Sequence, residues 1–136
     1  MKKFAGIAAM FALCTGLAVA AKAPDETKLR EGMKLAGKTN GALGKKIAAK
    51  DATAAADAKA LEGAFKESHK FFKKMKAADG VDWSKTATTE YAAISKAVAA
   101  GKWEDAAASH KKASATCMAC HGAHREKLAD GSYKVK

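Results

Sequence analysis

Proline occurs once in the 136 residues, at Pro24, so no later helix is broken by one. No stretch of useful length alternates apolar and polar side chains. That excludes a sheet-based fold, and with it the βαβ frame that a thioredoxin-like dithiol protein requires. Cysteine occurs three times, and Cys14 lies in an N-terminal apolar run. The other two, Cys117 and Cys120, are so close that a bridge between them would staple almost nothing, so the pair is there for chemistry. Acidic residues are also scarce, with 14 Asp and Glu against 25 Lys and Arg, a formal net charge of +11. The lysines are scattered rather than clustered with aromatics, which argues against nucleic acid as a partner. It leaves acidic proteins or anionic membrane surfaces.

The N-terminus reads as a secretory signal peptide. Lys2 and Lys3 precede an uncharged run over residues 4–20, and Ala18-Val19-Ala20 supplies a small-x-small cleavage pattern. Cleavage is expected before Ala21, with a cut before Lys22 nearly as good. The run is at the short end of what spans a bilayer, and Leu13 is a poor neighbour for a lipidated Cys14. The mature chain, residues 21–136, is therefore expected in the periplasm as a single domain with no transmembrane anchor after cleavage. Loss of Lys2 and Lys3 lowers its formal charge to +9.

Apolar residues in the mature chain recur at spacings of three and four, the signature of amphipathic helices. The first helix is expected over residues 25–49, with Leu29, Met33, Ala36, Asn40, Leu43 and Ile47 inward. The second is expected over 52–78, with Ala58, Leu61, Phe65, Ser68, Phe72 and Met75 inward and Asp79-Gly80 as its stop. After a loop through Val81, Asp82 and Trp83, a third helix over 86–100 turns Tyr91, Ile94 and Val98 inward, and Gly101 ends it. The fourth should run over 103–129, with Gly131 as its stop. Its inward line is Trp103, Ala107, His110, Ser114, Cys117, His121, His124 and Leu128. Four such helices joined by short connections predict an all-α, antiparallel four-helix bundle. Two features are odd for a plain bundle. Gly37, Gly41 and Gly44 interrupt the first helix at about 1 kcal/mol each relative to alanine, and the inward line of the fourth is rich in Cys, His and Ser. A flat, bulky group between the two helices would account for both.

Cys117-Met118-Ala119-Cys120-His121 is a C-x-x-C-H motif, the attachment signature of haem c. Two thiols one helical turn apart can each add to a vinyl group of the porphyrin, and the next residue turns its imidazole to the iron. One covalent haem c is the cofactor this predicts. Its propionates would return up to two negative charges. Zinc held by Cys117, Cys120 and His121 or His124 is the competing reading, but a continuous helix wraps a tetrahedral ion poorly.

At this point the chain resembles the class II c-type cytochromes, four-helix bundles whose haem motif lies near the C-terminus. The resemblance spans the mature chain and is most specific at Cys117–His121 followed by Arg125, where members of the family carry a basic residue beside the haem. His124 departs from the aromatic residue usual before that arginine. The family has a high-spin branch, cytochrome c′, which leaves the sixth iron position open and binds small gases. It also has a low-spin branch, similar to cytochrome c-556, in which a methionine early in the first helix fills that position. Leu29-Arg30-Glu31-Gly32-Met33-Lys34-Leu35-Ala36-Gly37 is similar to the low-spin pattern, which implies Met33 as sixth ligand and His121 as fifth. Met33 also lies on the inward stripe with Gly37 one turn beyond, and a thioether suits haem iron.

Other candidate ligands rank lower. His69 is expected near the surface, His110 as a hydrogen-bonded core residue, Met75 as core filler and Met118 as a spacer. The expected function is electron transfer with redox partner proteins, acidic ones suiting the basic surface. The alternative is a five-coordinate cytochrome c′ binding NO or CO. A haem enzyme ranks last, since the first helix offers only Thr39 and Asn40 for a polar distal pocket. The resemblance also implies a homodimer through the first two helices, which the lysines there would oppose.

Overall fold

The computed structural model describes residues 24–136, so the expected leader and its cleavage site lie outside the described residues. Four helices of equal length make up most of it: α1 (Thr27–Ala48), α2 (Ala54–Met75), α3 (Ala78–Ala99) and α4 (Trp103–His124). The connections are too short for anything but reversal, so successive helices run antiparallel. α1 rests on α2, α2 and α3 lie along one another, α3 and α4 do the same, and α1 meets α4 at few points. Among the described residues no helix is long and apolar enough to cross a membrane.

The main core follows the predicted stripes of the first three helices. Leu43 and Ile47 of α1, Leu61 and Phe65 of α2, and Tyr91 and Ile94 of α3 are all buried in one cluster. Phe65 stacks on Tyr91 with ring centroids 5.3 Å apart. Burying side chains of this size contributes roughly 1.5–3 kcal/mol each. A second cluster of Leu29, Phe71 and Phe72 closes the end of the bundle near the start of α1. Its Phe71 belongs to no predicted stripe, while Met75, predicted inward, is exposed.

Three features differ from expectation. First, α2 stops at Met75, and α3 begins at Ala78, eight residues before the predicted start. The break is Lys76, which adopts a left-handed conformation at φ 56°. Asp79-Gly80 is not a stop but the first turn of α3, and the expected loop through Val81, Asp82 and Trp83 is helical. Gly80 is glycine for packing, because a Cβ there would collide with the ring of Phe72. Second, α4 ends at His124 rather than near Ala129. The chain then forms an antiparallel hairpin of β1 (Arg125–Lys127) and β2 (Tyr133–Val135), although no strand was expected. Its turn is built by Gly131 at φ 82° and by Asp130, whose carboxylate accepts from the Ser132 amide at 2.9 Å. Third, the buried face of α4 is Ala106 and Ala113, one position round from the predicted line, and Ala107 and His121 are exposed. The small side chains let α4 approach α3 closely, which turns the polar line towards α1.

Candidate functional site

The cleft between α1 and α4 is set by a polar network at its middle. The Asn40 amide donates from Nδ2 to Ser114 Oγ at 3.2 Å. Its Oδ1 accepts from the Tyr91 hydroxyl at 2.9 Å and faces His110 Nε2 at 3.0 Å. His110 Nε2 is also 3.0 Å from the Asn40 carbonyl oxygen, so both partners of that nitrogen are acceptors and it carries the proton. His110 is thus hydrogen-bonded, as expected, but half-buried rather than part of the core. Its ring also explains Gly44, where a Cβ would lie 2.8 Å from His110 Cε1. The expectation that all three α1 glycines make room for one bulky group is corrected here, since Gly44 makes room for His110.

These contacts define how α1 and α4 run past one another. Gly44 is opposite His110, and Asn40 is opposite Ser114. Four residues back along one helix match four forward along the other, as antiparallel helices of equal rise must. One further turn brings Gly37 level with Cys117, and the next brings Met33 level with His121. Gly37 and Gly41 have nothing within 4 Å of a Cβ position, so this length of α1 is open where the neighbouring lengths are filled.

Met33 is half-buried and packs against both hydrophobic clusters. Cys117 lies against the first cluster and Cys120 against the second, so Met33 and the two cysteines border the same interior region. Both thiols are free and half-buried. Burial pushes the Cys117 thiol up, partly offset by the neighbouring Tyr91 hydroxyl. Burial, then Cys117 and Asp79, push Cys120 up to about 11. Both are therefore neutral at physiological pH. A reactive dithiol needs the opposite shift, so the pair does not suit dithiol–disulfide chemistry. The His121 ring is held below the usual imidazole value, first by desolvation and then by the nearby Arg125 guanidinium. That favours the neutral ring, the form that ligates metals.

Arg125 turns its guanidinium over the Tyr133 ring, 3.5 Å from the centroid, at the start of the hairpin. The hairpin is tied to the bundle at several points. Arg30 Nη1 donates to the Tyr133 carbonyl at 3.0 Å, and Val135 packs on the Leu29–Phe71–Phe72 cluster beside Met33 and Cys120. His124 Nε2 is 2.8 Å from Asp79 Oδ1, and its Nδ1 is 3.1 Å from the Lys136 carbonyl oxygen. Its ring also lies 5.0 Å from that of Phe72. His124 therefore anchors the hairpin and packs beside Phe72. No family model, curated protein or solved structure matches the chain. What it does must be read from these residues alone.

Other candidates lie elsewhere. His69 is half-buried between α2 and α3, with Nδ1 3.2 Å from the Val81 carbonyl. Met118 is 78% exposed. Among the described residues no three His, Cys, Asp or Glu side chains converge as a metal cluster. The Asn40–Tyr91–His110 network and the hairpin clamp escaped sequence reasoning. Their members lie 51 and 70 residues apart in the network and 45 in the His124–Asp79 contact, with no local pattern to reveal them.

Proposed function

We propose that the mature chain is a periplasmic electron-transfer protein with one haem c, held covalently by Cys117 and Cys120. Its axial ligands would be His121 and Met33. The reading is carried by the α1–α4 register, in which Met33 comes level with His121 while Gly37, level with Cys117, stands open. The donor set fits the group. Two neutral thiols on one helical turn suit two thioethers, a neutral imidazole follows directly, and the half-buried Met33 thioether packs on the same two clusters as the cysteines. When bound, the iron supplies one-electron exchange between its ferrous and ferric states.

The chain's own residues do the rest. Cys117 and Cys120 keep the group bound in a small domain that cannot enclose it. His121 is carried on the same turn as Cys120, so its ring cannot leave independently. Met33, on a separate helix, would hold the iron from α1 and exclude other ligands. The Asn40–Tyr91–His110 network holds α1 at a constant level against α4, which keeps Met33 at its height. Arg125 lies close enough to His121 to act on its charge, and the hairpin that Arg125 opens is tied to α1 through Arg30.

The test is intact-mass measurement of protein purified from the periplasm, with the N-terminus at Ala21 or Lys22. The expected mass is that of the peptide plus one haem, retained through acid-acetone extraction, and the spectrum should be low-spin. Haem that extracts freely overturns the reading. A high-spin spectrum with ready carbon monoxide binding would assign the chain instead to the gas-binding, open-site alternative.

A further inference from the structure

Charge is distributed unevenly over the four helices. From Gly32 to Lys50 there is no Asp or Glu, and none from Ala106 to Arg125. Every other helical surface is mixed. Lys46 pairs with Asp57 at 2.7 Å, Lys70 with Glu67 at 2.6 Å, and Lys28 reaches Glu67 at 3.9 Å. The nearest carboxylates are Glu31, near the start of α1, and Glu26, just before it, which is taken up by Arg30 at 2.6 Å.

Lys34, Lys38 and Lys45 are exposed along one line of α1 that points away from the core, and Lys111 is exposed on α4. None of the four makes an ion pair among the described residues. Between these two lines the surface is nearly bare. Gly37 and Gly41 carry no side chains and have open space beside them, and Met118 is 78% exposed. A low apolar centre with a cationic rim is how a transient, electrostatically steered interface is built. The bare centre also lies over the cleft between Gly37 and Cys117, where a partner could approach most closely.

We infer that this α1–α4 face is the docking surface for an acidic redox protein, with Lys34, Lys38, Lys45 and Lys111 as its rim. That the partner is a redox protein rests on the proposed function; that the face binds acidic protein surfaces does not. An anionic membrane suits the charge but not the relief. The tryptophans that would anchor at a headgroup layer, Trp83 and Trp103, are half-buried at other positions.

The probe is an oligoglutamate peptide titrated into the isotope-labelled mature protein at low salt, with amide shifts as the readout. Shifts are expected along residues 34–45 of α1 and 107–122 of α4, and they should vanish near 0.5 M salt, ~5 Å of screening length. Lys34→Glu with Lys38→Glu should weaken binding about tenfold or more. Lys59→Glu with Lys85→Glu, which changes net charge equally on α2 and α3, should weaken it by less than about threefold. Equal losses from the two pairs, or shifts centred on α2 and α3, would overturn the inference. So would binding to phosphatidylglycerol vesicles with none to the peptide. Haem mass measured on the same samples tests the functional proposal separately, because peptide binding does not depend on it.

Discussion

Gly80→Ala sets local propensity against tertiary packing, and the two disagree in sign. Gly80 is the third residue of α3. Helix propensity alone rewards alanine there by about 1 kcal/mol. The structure opposes this, because the added Cβ meets three ring carbons of Phe72, the farthest, Cε1, at 2.9 Å. Phe72 has little freedom to yield. It is 3% exposed, packs edge-on to Phe71 at 5.4 Å, and lies against His124 at 5.0 Å. Overpacking of this kind costs about 1–3 kcal/mol. The expected net effect is a loss of up to about 2 kcal/mol, which is several degrees in Tm for a domain of this size. Urea denaturation of the wild type, Gly80→Ala and Gly41→Ala would measure it. Gly41 has nothing within 4 Å, so in haem-free protein its alanine variant should gain about 1 kcal/mol. If Gly80→Ala gains the full ~1 kcal/mol that helix propensity offers, as Gly41→Ala is expected to, the Phe72 ring is free to move and the account of the α2–α3 turn is wrong.

Met33→Ala should turn a low-spin protein into one whose reduced form binds carbon monoxide readily, with a lower potential because the thioether is lost; an unchanged low-spin spectrum would mean another residue is the ligand. Tyr91→Phe removes the hydroxyl that donates to Asn40 at 2.9 Å. It should cost about 1 kcal/mol in denaturation, and a neutral result would remove the network's structural role. His124, then the Gly80 amide, hold the Asp79 carboxyl below its usual value. The stabilisation this brings is complete above the ordinary carboxylate pKa and is lost as pH falls through the lowered one. Asp79→Asn should therefore flatten the acid limb of the stability profile, and an identical limb in both proteins would refute the clamp. In the wild type, thiol titration of haem-free protein should show Cys120 reacting slowly until the pH nears 11; fast labelling at neutral pH would contradict its burial.

Periodicity alone was enough for the number of helices, their order and most of the buried stripes of the first three, Phe71 and Met75 excepted, because a stripe at helical spacing has no other way to leave water. The C-x-x-C-H spacing is a local pattern of the same kind, since the attachment chemistry it suggests needs residues one turn apart. The ends of the helices were not legible. Asp79-Gly80 looks like a stop to any local rule, yet the stop is Lys76, and only the Phe72 ring shows why a glycine is needed at the start of α3. The hairpin after His124 depends on contacts with α1 and α3 that its short, mostly exposed strands do not announce. The cleft itself belongs to the tertiary structure. Nothing in either helix says which residue of α1 stands opposite which residue of α4. That level is set by one asparagine, Asn40, whose hydrogen-bonding capacity is met by Tyr91, His110 and Ser114 from two other helices. A half-buried amide must find such partners or lose stability, and in finding them it sets the level at which α1 passes α4.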